Sequence, residues 1–327
     1  MAAPDKFRGT ATAAQVAAAI GRAVASVGGT CDEVPVADGG EGTLDVLGGP
    51  NRTSVVTGPL GDPVEARWRY AGRTAIVEMA QASGLALTGG PEGNDAMAAS
   101  TYGTGELVGA AVDAGCRRVI VAVGGSATVD GGLGALRALE PLARLRAIEL
   151  VVACDVRTGF VDAARTFAPQ KGASPAQVEL LHRRLERLVQ VYERTYGVDV
   201  STLEGAGAAG GLAGGLAAAG ASLVAGFDVV ADEVELHDRI EHADLVVTGE
   251  GFLDEQSFEG KVVGGVCELA RSVRVPVLAV VGEVLDGVAI PDGLEVVSLV
   301  AEVGRQRALE DTTAAIEEVL ARRFNQS

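Results

Sequence analysis

The sequence predicts an α/β fold made of two α/β domains, the second inserted into the first. Three observations carry this. Apolar runs of strand length alternate with amphipathic helical stretches, the pattern of parallel sheets covered by helices on both faces. Short strands separated by Gly-rich turns interrupt that alternation after residue 51. The 327 residues also exceed what a single core usually holds. Residues 1–50 and 230–327 therefore read as one domain, and 51–229 as the mixed α/β insertion.

The elements follow in order. Met1-Ala2-Ala3 is a strand stub, and Ala11 to Val27 is a helix with Val16, Ile20, Val24 and Val27 on one face. Residues 33–37 form a short strand, and Asp38-Gly39-Gly40-Glu41-Gly42-Thr43 joins it to a second helix. Arg52–Val56, Val64–Tyr70 and Thr74–Met79 are the strands of an antiparallel meander. Alternation resumes with helix Thr104–Gly115, strand Arg118–Val123, helix Gly131–Leu139, strand Glu149–Cys154 and helix Pro175–Tyr196. A glycine–alanine helix spans Gly205 to Gly220. Strands at 245–248, 276–281 and 295–300 then alternate with helices, and Ala308–Arg323 is a final amphipathic helix.

Composition excludes several classes of function. With 48% hydrophobic and 22% charged residues the chain is globular, and with 4% aromatics its cores must be built from Ala, Val and Leu. A net charge of −17 opposes binding to nucleic acid or anionic membranes. Small anionic substrates remain allowed, because local donors outweigh a field screened beyond about 10 Å. Cys31, Cys116, Cys154 and Cys267 form no CxxC pair and read as reduced thiols. No charged-then-apolar leader opens the chain, and no apolar run reaches about 18 residues, so a soluble cytoplasmic protein is expected.

The chemistry concentrates where strands hand over to helices, the place where open α/β sheets bind ligands. Gly249 to Lys261 follows the apolar run 244–248 and gathers Glu250, Gly251, Asp254, Ser257 and Lys261. A lysine beside backbone amides suits phosphate, and nearby carboxylates suit Mg²⁺. Gly124-Gly125-Ser126-Ala127-Thr128-Val129-Asp130-Gly131-Gly132 also lies between strand and helix. Its amides suit an anion, Ser126 and Thr128 add hydroxyls, and Asp130 suits Mg²⁺ or a proton. Around Asp38 the glycines let backbone approach a ligand, with Asp38 on a metal or a substrate hydroxyl, or capping the next helix. Lys6 and Arg8 read as contacts to a carboxylate or phosphate, or as solvated turn charges, and Lys171 as a phosphate contact or a solvated lysine. Gly205-Ala206-Gly207-Ala208-Ala209-Gly210 matches GxGxxG with Asp228 downstream, but no convincing strand precedes it. His182, His237 and His242 lack metal-ligand spacing, and no GxxxxGK[ST], GxSxG or DFG motif occurs.

Taken in order, the motifs resemble the bacterial-type glycerate kinase family, which phosphorylates glycerate with ATP. The resemblance runs through Pro4–Gly9, Pro35–Thr43, Val56–Gly61, Glu78–Ala80, Thr104–Leu107, Gly124–Thr128, Ala153–Val156, Pro169–Gly172, Gly205–Gly211 and Thr248–Gly251, then Asp254, Gln256, Ser257, Gly260 and Lys261. It implies a Rossmann- or flavodoxin-like domain with an inserted α/β domain and the active site in the cleft between them. It also implies ATP, Mg²⁺ and glycerate, with 2-phosphoglycerate favoured over 3-phosphoglycerate and a homo-oligomer allowed. The first strand, residues 139–148 and residues 157–165 are shorter than in that family.

Under that resemblance Lys261, with the amides of Gly249, Gly251, Gly124 and Gly125 and the Ser126, Thr128, Lys171 and Ser257 side chains, would hold ATP. Asp38, Glu250 and Asp254 would bind Mg²⁺ or orient the substrate hydroxyl, with Asp130 and Asp155 as further metal candidates. Lys6 or Arg8 would clamp the glycerate carboxylate beside Asp5, Gly39 and Gly40. A nicotinamide-dependent oxidoreductase, favoured by Gly205–Gly210 and Asp228, and a non-catalytic sugar-acid-binding regulator are the competing readings.

Overall fold

The computed structural model describes residues 1–258 and 260–326; Glu259, within the Gly249–Lys261 segment, lies outside the described residues. The chain divides into two compact units, residues 1–38 with 227–327, and residues 39–226. The first crossing falls at Asp38–Gly39, earlier than the expected residue 50. The intervening loop belongs to the second unit because Glu78, at the end of a strand of that unit, accepts the Gly42 and Leu44 amides at 2.8 and 2.7 Å.

The second unit is built on a six-stranded sheet of β1 Arg52–Thr57, β2 Pro63–Ala71, β3 Thr74–Glu78, β4 Arg118–Ala122, β5 Glu149–Cys154 and β6 Ser222–Ala225, in sequential order. β1, β2 and β3 are antiparallel neighbours, and β3 to β6 run parallel. The meander thus widens the parallel sheet instead of forming a separate layer. Alternating residues explain the cover: Val77, Val119, Val121 and Val152 enter the core that also holds Leu107, Leu212 and Leu216 from helices Tyr102–Asp113 and Ala208–Ala218. A second core gathers Phe160, Leu181, Leu185 and Tyr192, the last three from helix Pro175–Tyr196. That helix opens on a capping box in which Ser174 and Gln177 satisfy each other's backbone amides. The short 139–148 segment closes into β5 through a single 3-10 stretch, Leu142–Ala147.

The first unit contains a parallel sheet of β7 Val246–Leu253, β8 Val277–Val284 and β9 Glu295–Ser298. The N-terminal stub extends it. Ala3 and Asp5 donate to the carbonyls of Val247 and Gly249, while Val34 and Val36 donate to those of Ala2 and Pro4. Two short segments therefore add to the β7 edge, giving the order 33–36, 1–5, β7, β8, β9. This is the 2-1-3-4-5 order of flavodoxin-like sheets. Both faces are covered: Leu278 and Val280 pack with Val16, Ile20, Ile316 and Leu320, and Ala279 and Val281 with Val263 and Cys267. Such two-sided burial produces continuous apolar strands without polar alternation.

Three expectations change. β7 continues through Gly249–Gly251 to Leu253 instead of ending at Thr248. A Cβ at Gly249 would overlap the Val280 carbonyl oxygen, so this glycine serves strand pairing. The final helix is two helices, Arg305–Glu310 and Thr312–Phe324, separated at Asp311 with φ −126°. The glycine–alanine helix carries left-handed residues at Ala209–Gly211. All four cysteines are free, and no helix among the described residues is long and apolar enough to cross a membrane.

Candidate functional site

In the first unit the N-terminal segment runs beside β7 and brings acids together. Asp5 donates its amide to Gly249 and is 8% exposed, which places it beside Glu250. Burial, with the like charge of Asp38, pushes the Asp5 carboxyl up to about 6, against the pull of Lys6, its backbone amide and Arg8. The Lys6 ammonium lies 3.9 Å from the Asp38 carboxylate. Residues 7–11 fold back tightly, with Phe7 and Ala11 exchanging backbone hydrogen bonds, and carry Arg8 at the turn.

Glu250 is the most perturbed acid of this group. Burial pushes it up to about 7; the Ser257 hydroxyl and Lys261 pull it down, while Asp5 and Asp254 raise it. Its Oε1 is buried and has no hydrogen-bond partner among the described residues. An unsatisfied buried carboxylate oxygen is expensive to keep unless a ligand or cation completes it.

Asp254 and Ser257 close a local box: Asp254 Oδ1 accepts the Ser257 amide at 2.9 Å and hydroxyl at 3.1 Å, while the Asp254 amide donates to Ser257 Oγ at 2.9 Å. Ser257 is fully buried, so its hydroxyl shapes the turn where an ATP contact had been expected. Beyond it, Lys261 begins helix Val262–Val273, and no side chain among the described residues caps that helix. The amides at a helix start carry partial positive charge, which suits an anion.

The second unit gives a mixed outcome. The loop after β4 does not present an open helix N-terminus, because the Asp130 carboxylate already fills it. Asp130 Oδ1 accepts Gly132 N at 3.1 Å, and Oδ2 accepts Gly134 N at 3.1 Å and Thr101 N at 2.9 Å. The Thr101 hydroxyl adds bonds to both oxygens. Asp130 is thus an internal cap, which corrects its expected role as a metal ligand. Asp155 is an exposed residue just beyond β5.

Lys171, expected in a solvated loop or on phosphate, is 3% exposed. Its Nζ donates to Ser126 Oγ at 2.6 Å and to Thr128 O at 2.8 Å. Burial pulls its ammonium down to about 7, with Asp130 opposing. Thr128 Oγ1 is buried without a partner. Gly124 packs against Gly40 and Glu41, where a Cβ would lie 3.0 Å from the Gly40 Cα. A Cβ at Gly39 would overlap the Gly226 Cα, so this glycine is needed for close backbone approach.

The GxGxxG match has the same explanation. A 3-10 turn, Val200–Thr202, precedes it in place of a strand, and a Cβ at Gly210 would overlap the Thr128 carbonyl oxygen. The dinucleotide context is missing. His182 and His242 hydrogen-bond backbone carbonyls through Nδ1, which gives both structural roles.

Two residues with clear work were missed. Glu78 holds the loop after Asp38, and Asn94 Nδ2 bridges Ala127 O and Lys171 O at 2.9 and 2.8 Å. Glu78 stood in the Glu78–Ala80 motif and ends an apolar strand with an acid, but was given no role; Asn94 had no signal.

The glycerate kinase family model matches residues 1–142 and 140–326. Among curated proteins, a glycerate kinase of Bacillus subtilis is 40% identical, over 86% of this chain and 84% of its own. A glycerate 2-kinase of Escherichia coli is 37% identical, over 88% and 86%. Among solved structures, a putative glycerate kinase 2 from Salmonella typhimurium superposes with a TM-score of 0.84 at 34% identity, covering 99% of this chain and 98% of that one.

Proposed function

The chain belongs to the glycerate kinase family, and we propose that it transfers the γ-phosphoryl group of ATP to the 2-hydroxyl of D-glycerate, forming 2-phosphoglycerate and ADP. The observation that carries the chemical part is Glu250: a carboxylate within β7, raised to about 7, with one oxygen buried and unbonded among the described residues. A general base works best with a pKa near the working pH.

In this reading the glycerate hydroxyl oxygen attacks the γ-phosphorus, the bond to the ADP oxygen breaks, and the hydroxyl proton passes to Glu250. Phosphoryl transfer asks the protein mainly for positioning and charge neutralisation. Lys6 and Arg8 carry the positive charge that fixes the glycerate carboxylate. Lys261 and the uncapped amides behind it take phosphate oxygens.

Among the described residues no group of three or more acidic, His or Cys side chains is arranged to hold a metal alone. Mg²⁺ as kinases use it is bound by one or two carboxylates with phosphates and waters and needs no such group. Asp5 and Asp38, whose charges repel, fit that part, and the cation would neutralise charge on the phosphates.

The pH dependence follows from Glu250. Its carboxylate must be ionised to accept the proton, so kcat/KM is expected to rise with pH and level off above about 7. A flat profile from pH 5.5 to 8 would remove Glu250 as the base. Specificity offers a second check. Lys6→Ala is expected to raise KM for glycerate about tenfold or more while leaving KM for ATP nearly unchanged, as read from steady-state ADP release. Equal effects on both substrates would contradict a carboxylate contact.

A further inference from the structure

The loop after β4 is held from outside by two side chains, the buried Lys171 and the half-buried Asn94. Lys171 Nζ bonds Ser126 Oγ and Thr128 O, and Asn94 Nδ2 bonds Ala127 O between them. Asn94 also takes the Lys171 carbonyl, so the two clamping residues are tied to each other. Three consecutive loop residues are fixed in this way.

The donor inventory of the clamp has a directional result. An ammonium has donors and no lone pair. Facing the ammonium at 2.6 Å, Ser126 Oγ accepts, so while Lys171 is protonated the hydroxyl's own proton points elsewhere. No acceptor among the described residues takes that proton. A hydroxyl held as a donor, beside a glycine pair and on a loop immobilised at three successive residues, suits an anionic oxygen.

Lys171 itself is too enclosed to meet a ligand, at 3% exposure and with the Phe167 ring 5.8 Å away. Keeping it charged is unfavourable, since burial pulls the ammonium down to about 7. A methionine of similar shape would avoid that cost.

We propose that Lys171 is a positioning residue: it contacts no substrate, and it orients the Ser126 hydroxyl as a donor to a phosphate oxygen of ATP. This rests on the kinase reading only for the identity of the anion.

The test is a double-mutant cycle on MgATP binding, read by calorimetry on the full-length protein without glycerate. Ser126→Ala and Lys171→Met are each expected to weaken MgATP binding about tenfold, the scale of one hydrogen bond to a charged group. The double variant is expected to match Ser126→Ala within about twofold, because Lys171 acts only through that hydroxyl. Melting temperatures locate any simple loss of fold; should Lys171→Met fail to fold, Lys171→Gln, which keeps a donor, carries the cycle and is expected to bind better than Ser126→Ala.

If the two losses multiply to about a hundredfold, Lys171 acts independently of Ser126 and the proposal falls. It also falls if Lys171→Met or Ser126→Ala binds MgATP like the wild type. A wild-type protein that binds MgATP but does not phosphorylate glycerate contradicts the substrate reading alone and leaves the cycle readable. A wild-type protein that binds no MgATP overturns both.

Discussion

Glu250→Gln is expected to lower kcat/KM for glycerate by about 10³-fold, the scale of a lost general base, and to stabilise the protein at the same time. The two effects share one cause. In the folded state burial disfavours the charged carboxylate and raises its pKa from 4.5 to about 7. A raised acid binds its proton more tightly when folded, so ionising it opposes folding. That penalty is absent below the unfolded pKa, grows between about 4.5 and 7, and is complete above 7. Glutamine never ionises. At pH 8 the variant should exceed the wild type by roughly 2 kcal/mol, given about 1.4 kcal/mol per pKa unit and allowing for partial solvation. Near pH 4.5 the advantage should vanish. Chemical denaturation at several pH values reads this directly. A variant that loses both activity and stability at pH 8 would show that Glu250 supports the fold instead of straining it.

Lys261→Ala should cut kcat/KM for ATP by about 10²- to 10³-fold, the usual loss for one preorganised donor to developing charge, without unfolding the protein. Lys261 starts helix Val262–Val273 but makes no side-chain cap bond there, so alanine removes a charge and leaves the helix's internal hydrogen bonds intact. The helix keeps its buried face of Val262, Val263, Val266, Cys267 and Ala270. Lys261→Arg should recover part of the loss through its charge. Its longer planar fork spreads that charge over several donors and does not reproduce a single ammonium. Were the alanine variant to turn over ATP like the wild type, the uncapped helix start would have no part in phosphate binding.

The strands and most helices were legible because their signals are local. Two-sided burial makes β4, β5 and the first parts of β7 and β8 apolar runs, and Ser174-Pro175 with Gln177 marks the start of the long helix. What escaped the sequence depends on residues distant along the chain. Gly249 follows an apolar run and reads as the first loop residue, yet it is a strand residue because Val280 lies against it. Asp130 reads as a metal ligand because it is an acid in a glycine-rich loop; in the fold, Thr101 and the amides of Gly132 and Gly134 claim it. Lys171 reads equally as a phosphate contact or as a solvated lysine, and only the tertiary structure buries it against Ser126.

The Gly205–Gly210 match shows the reverse error. Its glycines answer to packing, with Gly210 against the Thr128 carbonyl, and a pattern search cannot separate that demand from pyrophosphate binding. Asp5, Asp38 and Glu250 were named as site candidates, and the fold places Asp5 near both others: the Asp38 charge helps raise Asp5, and the Asp5 charge helps raise Glu250.

Incubating the protein with ATP, Mg²⁺ and D-glycerate and following the mixture by ³¹P NMR tests the central claim most directly. The expected result is a single new phosphomonoester with the coupling of a secondary carbon, 2-phosphoglycerate, appearing in step with ADP. A phosphomonoester on the primary carbon would move the transfer to the 3-hydroxyl. ATP left unconsumed in the presence of glycerate would contradict the assignment altogether.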